Sequence, residues 1–189
     1  MLDVSVEPSL HRFTVEEYEA LGRLEEFWDG PRLELIEGRI VEMAPIGPDH
    51  ASGVDWLVAR FVTGLGDRAV VRGQGPLRLG DLSEPEPDVS VLVPPLDRYR
   101  HRHPVAEDVL LLVEVSNSSL RFDRQTKVPL YARHGVAEVW IVDLTGETVE
   151  VYREPSAEGY GAVEQHGRGE TVSPAAFPAI ALTVSELLG

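Results

Sequence analysis

The sequence predicts a mixed α/β (α+β) domain: a central mixed β-sheet flanked by helices, with an added β-meander. Three observations carry this. Val109 to Val115 is an almost unbroken apolar run, the pattern of a strand covered on both faces. Helical spacing of apolar residues appears on both sides of it, at about 49–65 and 123–134. Alternating segments then follow near 149–153 and 160–165, as in an outer meander. The 189 residues, 43% of them apolar, suit one domain spanning 1–189, with 1–12 as an N-terminal arm.

Each element has a local reason. Thr14-Val15-Glu16-Glu17 is a capping box that starts a helix running to about Glu26. Gly30-Pro31 breaks the chain, and Arg32 to Met43 reads as a hairpin around Glu37-Gly38. A second helix runs from Asp49 to Leu65, with Val54, Leu57, Val58 and Phe61 at helical spacing. Short strands are expected at Ala69–Arg72 and Pro76–Leu79, and a further strand at Asp88–Val93. Pro94 to Asp108 is a long loop. After the Val109–Val115 strand, a helix over Asp123–His134 ends at Gly135. Pro129 falls inside it, so that helix could start later or kink there. Val139–Val142 is the next strand, and Thr183–Leu188 a final turn or helix. Trp140 and Phe177 are candidates for an interface.

Composition narrows the function. The formal charge is 17 − 32 = −15, which opposes general, tight binding to a polyanion but permits a local basic groove or a cation-screened acidic site. No run approaches the roughly 20 apolar residues of a membrane span. Met1-Leu2-Asp3-Val4 lacks the basic start of a signal peptide, and there are no cysteines to form disulfides or thiolate metal sites, so a cytoplasmic protein is expected. Scarce Asn and absent Cys fit a thermophile. Of the 17 basic residues, 16 are Arg, and the one lysine is Lys127. Arg does not substitute readily for a compact, titratable ammonium.

The chemistry-bearing residues are Glu114, Asp88, Lys127 and Glu37. A carboxylate within Leu110-Leu111-Leu112-Val113-Glu114-Val115 needs a cation, a metal or a proton, unless it lies at the strand's wet end. Asp88 opens the preceding strand. If the two strands pair antiparallel, both carboxylates meet at one sheet edge, an oxygen-rich setting for Mg²⁺, with Mn²⁺ as a second choice. Asp123, Lys127 and Tyr131 share one helix face, so Lys127 can reach back to the acids; an exposed Asp123–Lys127 pair is the alternative. Glu37, at the hairpin tip, is either a turn residue or a fourth member. His50 reads as a structural or capping residue. Arg98 to His103 could contact phosphates, or form an exposed flexible loop.

Pro87-Asp88, Glu114-Val115-Ser116 and Lys127, in that order, resemble the PD-(D/E)XK nuclease superfamily. More closely, Leu33-Glu34-Leu35-Ile36-Glu37-Gly38, Leu111 to Ser116, and Gly135 to Asp143 resemble the bacterial Uma-type family of restriction endonucleases, over roughly residues 13–153. The resemblance implies a restriction-endonuclease-like fold. It also implies metal held by Asp88, Glu114 and Glu37, and metal-dependent hydrolysis of phosphodiester bonds in nucleic acid, DNA foremost. The superfamily's usual lysine stands two residues after the glutamate, where this chain has Ser116; the Uma-type pattern places it on the next helix, at Lys127. A homo-oligomer, a dimer first, would suit an enzyme that cuts two strands. Two other readings remain open at this point: a non-catalytic nuclease-fold module for oligomerisation or partner binding, and a metal-free sugar hydrolase using Glu37 and Glu114 as acid and base.

Overall fold

A computed structural model describes residues 9–24 and 31–189. The capping box forms as expected: Glu17 and Thr14 bond reciprocally at the start of α1 (Val15–Leu21). The helix ends at Leu21, capped by Gly22, short of the expected Glu26, which itself lies outside the described residues. The hairpin is β1 (Leu33–Ile36) and β2 (Arg39–Glu42), paired antiparallel as a separate two-stranded sheet. Its two turn residues, Glu37 and Gly38, both have positive φ (50° and 77°), as a tight two-residue hairpin turn requires. A Cβ on Gly38 would lie 2.6 Å from the Cβ of Arg12, so the close approach of the arm also demands glycine there.

α2 (Pro48–Leu65) begins with Pro in its first turn and buries Val54, Leu57, Phe61 and Leu65. The main sheet has six strands: β3 (Val70–Gly73), β4 (Val89–Leu92), β5 (Val109–Ser116), β6 (Glu138–Asp143), β7 (Thr148–Ser156) and β8 (Gly159–Gly167), hydrogen-bonded in that order. Every neighbour pair is antiparallel except β5–β6. That parallel pair requires a crossover, supplied by a helix we call α3: α-helical over Leu120–Phe122, π-helical over Asp123–Lys127 and α-helical again over Val128–Arg133. β9 (Thr171–Val172) and β10 (Leu182–Thr183) form a small antiparallel pair, followed by α4 (Val184–Leu188).

Helices cover both faces of the sheet. Leu111, Val113 and Val115 of β5 face α2, together with Val89, Val91 and Trp140. Leu112 and Ile141 face α3, against Val128, Leu130 and Tyr131. Strand alternation therefore turns Glu114 toward α3. Burial on both faces explains why β5 reads as a continuous apolar run.

Three expectations need correction. Pro76–Leu79 is not a strand of the sheet. Its Leu77 and Leu79 N–H groups bond the carbonyls of Pro85 and Ser83, so the segment folds onto its own following turn; only a lone bridge joins Arg78 to Val105. Trp140 is no interface residue: it is fully buried, tilted against Phe61, and donates its indole N–H to Glu138 at 2.7 Å. Phe177 is partly buried and packs on the same core, with the Arg68 guanidinium over its ring. Finally, α3 starts at Leu120 rather than Asp123. Pro129 lacks an N–H, and the widened turn just before it, where Val128 bonds Asp123 five residues back, carries the helix through without a break.

Candidate active site

β4 and β5 run antiparallel with Val89 opposite Val113, which sets Asp88, just before β4, beside the C-terminal end of β5. The Asp88 carboxylate accepts the Val115 N–H at 2.8 Å and lies 3.1 Å from His50 Nε2 on α2. Gln74 reaches its other oxygen at 3.5 Å. Burial alone would raise the Asp88 pKa, but the hydrogen bond and charge of His50, with the Val115 N–H, hold it below the usual carboxylate range.

Glu114 is 2% exposed, and Lys127 Nζ lies 3.3–3.4 Å from its two oxygens. Tyr131 donates its hydroxyl to Oε1 of the same group. Lys127, also 2% exposed, bonds Glu34 of β1 at 3.1 Å. The single lysine of the chain thus sits between two buried acids from different sheets. Burial pushes the pKa of Glu114 well up, against the pull of Lys127; Glu34 is raised for the same reason. Burial would lower the Lys127 pKa, but Glu114, Glu34, Asp123 and Asp88 together raise it, so the ammonium stays charged. Asp123 accepts the Ser116 hydroxyl at 2.7 Å and the Ser119 hydroxyl at 2.6 Å, pinning the turn that leads out of β5. Ser116, standing where the superfamily's lysine is usual, is thereby a structural partner of α3.

Asp88, Glu114, Lys127, Glu34, His50 and Asp123 all line one cavity of about 220 Å³, with Arg32, Glu86 and the 44–47 and 117–119 segments around them. The structure brings together Asp88, Glu114 and Lys127 of the sequence-derived set. It leaves Glu37 out. That side chain is half exposed at the hairpin tip and pairs with Arg133 at 2.6 Å, because its positive-φ turn position directs it away from the sheet. Glu34, three residues earlier, takes the place in the cavity assigned to Glu37, which also removes the sugar-hydrolase reading that paired Glu37 with Glu114. The missed signal was available: Glu34 is an acid flanked by Leu33, Leu35 and Ile36, the same anomaly that singled out Glu114. His50 carried no such signal, since only tertiary contact places it against Asp88.

The donor set fits a hard divalent cation. Glu34, Asp88 and Glu114 against Lys127 sum to −3 + 1 = −2 when ionised, and Asp123 adds a further negative charge. Glu34 Oε2 is buried without a hydrogen-bond partner among the described residues, although it lies 3.1 Å from Lys127 Nζ. The carboxylate oxygens do not close into a three-ligand cage here; among the described residues, only Glu19, Glu84 and His103 converge to that extent. An open, all-oxygen site of this kind suits Mg²⁺, which keeps several waters. The Arg98–His103 loop lies elsewhere, along a separate cavity. Arg98 and Arg102 are engaged by Asp108, so the loop is pinned beside the start of β5 rather than flexible.

A mixed sheet with acids on two antiparallel neighbours and a lysine delivered by the crossover helix defines a nuclease-fold domain of the restriction-endonuclease-like class. The comparisons agree with that class. A model of the Uma2 family, described as putative restriction endonuclease, matches residues 15–185, and the chain belongs to this family. A crystal structure of a putative nuclease of the DUF820 group from Anabaena variabilis is similar in fold, with a TM-score of 0.74 at 20% identity, covering 93% of this chain and 97% of that one. No curated protein matches the sequence. Among the described residues, no helix is long and apolar enough to cross a membrane.

Proposed function

We propose that this protein is a metal-dependent endonuclease that hydrolyses phosphodiester bonds in nucleic acid, with DNA as the first substrate to test. One observation carries the reading: three buried carboxylates and the chain's single lysine converge on one cavity, with negative charge in excess of what the lysine neutralises. Family membership supports it. Mg²⁺, or Mn²⁺ in its place, would be held by Asp88, Glu114 and Glu34, and would supply charge for the phosphate oxygens and a more acidic water.

The remaining work falls to the protein. His50 and the Val115 N–H fix the rotamer of Asp88. Tyr131 and Lys127 fix Glu114 from the opposite side. The ammonium of Lys127, kept protonated by its acidic neighbours, stands at the cavity wall where negative charge builds as a phosphodiester is attacked. These groups are positioned before substrate arrives, so little reorganisation is needed during the reaction. We propose a dimer for double-strand cleavage; a light-scattering mass of one chain at micromolar concentration would refute it.

The test is calorimetry with Mg²⁺ and Mn²⁺, alone and with a short non-cleavable DNA duplex, followed by a cleavage screen over supercoiled, linear and single-stranded substrates. Binding abolished by Asp88→Asn, with cleavage abolished alongside, supports the enzyme. No cation binding in either setting, and no cleavage, would make the chain a non-catalytic module of the same fold.

A further inference from the structure

Glu19, Glu84 and His103 offer three ligand atoms that all lie within 4.8 Å of one another. None of the three lines the Asp88–Glu114 cavity. Glu19 comes from α1, Glu84 from the segment leading into β4, and His103 from the β4–β5 loop. We propose that they form a second, separate site for a borderline transition-metal dication of the Zn²⁺ type.

The donor chemistry selects the class. One imidazole and two carboxylates suit Zn²⁺ better than Mg²⁺, which favours oxygen alone. Three protein ligands leave a fourth position for water or an anion.

Glu84 supplies the independent observation. It is 5% exposed, and its Oε2 has no hydrogen-bond partner among the described residues. Its backbone is fixed, since its N–H bonds the Leu35 carbonyl at 2.7 Å. A buried acceptor with no donor is costly unless a cation or proton fills the role. Burial and then Glu19 push the Glu84 pKa up to about 7. Burial lowers the His103 pKa, which favours the neutral imidazole a metal needs.

The surroundings allow it. The nearby Arg78 opposes a cation at Glu84, but its guanidinium is already bonded to Glu16 and Asp81; Glu86 adds negative charge. Glu19 and His103 border an open cavity of about 920 Å³, which gives an ion a way in. Once bound, the ion would tie α1 and the β4–β5 loop to the body of the fold. This assignment does not depend on the nuclease reading.

The experiment uses metal-free full-length protein with ¹⁵N-labelled histidines, titrated with Zn²⁺ alone. The His103 ring signals, identified by their loss in His103→Asn, are expected to shift and saturate. Glu84→Gln should weaken that response by about tenfold or more, on the scale of losing a supporting ligand. Asp88→Asn should leave it intact. His103 signals unmoved by excess Zn²⁺, or an undiminished response in Glu84→Gln, would overturn the site. A response confined to His50 would assign the zinc to the Asp88 cavity and refute the second site equally.

Discussion

Glu114 and Glu138 are both buried glutamates, 2% and 1% exposed, on adjacent strands of one sheet. Their surroundings differ completely. Glu138 accepts the Trp140 indole N–H and the Arg153 guanidinium on one oxygen and the Ala175 N–H on the other. Its charge and its lone pairs are met by fixed donors, and Arg153 reaches solvent at one side. Glu114 has the Tyr131 hydroxyl and a single ammonium that it shares with Glu34, while Asp88 and Asp123 stand close by. A balanced cluster holds β6, β7 and the C-terminal segment together. An unbalanced one has attraction left for a cation that is not part of the chain. Burial alone therefore does not separate structural acids from functional ones; the count of donors does.

The largest effect expected is on cleavage. Asp88→Asn or Glu114→Gln should lower the rate by about a thousandfold or more, since each would remove an anionic ligand of the proposed cation, whose charge would be worth several kcal/mol to a phosphoryl transition state. Lys127→Met should lose about 10²–10³-fold in kcat, as for one charge-stabilising donor. Wild-type rates in either set of variants would erase the distinction between the two clusters.

Glu138→Ala is expected to do the reverse. It should cost about 3 kcal/mol of stability in urea melts, because Arg153 and the Trp140 N–H lose their acceptor, yet leave cation binding by the folded protein unchanged. Loss of cation binding with the fold intact would show that the two clusters are coupled. His50→Ala sharpens the comparison from the other side. With the partner that orients Asp88 gone, Mn²⁺ affinity should fall by about 10–100-fold in calorimetry.

The smallest effect is on the pH dependence of melting in metal-free protein. Glu34 and Glu114 have pKa values raised above the ordinary 4.5, so the folded chain binds more protons than the unfolded one above that pH. Their contribution is present in full below the ordinary value and is lost as pH rises through the raised folded-state values. Melting temperature should therefore decline toward alkaline pH, and less so in Glu34→Gln, whose amide cannot ionise. An identical slope in the two proteins would mean that Glu34 does not titrate in this way.

Much of the architecture was legible in the sequence because the signals were local. Thr14 and Glu17 announce a helix start, Glu37-Gly38 a hairpin turn, and the run through Leu112 a strand with two covered faces. Pro76–Leu79 misled because its alternating Leu77 and Leu79 are buried by a turn rather than by a sheet neighbour. At the site, Asp88 and Glu114 were placed together by antiparallel register, and Lys127 by its singularity. Glu34 and His50 were not, since which acid of a hairpin turns inward, and which residue of α2 meets Asp88, depend on packing between elements far apart in the chain.

That separation has a consequence for synthesis. Glu34 and Lys127, the two ends of the central ion pair, are 93 residues apart, and α3 follows Asp88 and Glu114 in the chain. A polypeptide still emerging from the ribosome carries Glu34, Asp88 and finally Glu114 as an unquenched set of acids, with no ammonium among them. The constellation closes only when α3 has docked across β5. A chain that stops before α3 would therefore hold these acids without the ammonium that Glu34 and Glu114 share in the folded protein.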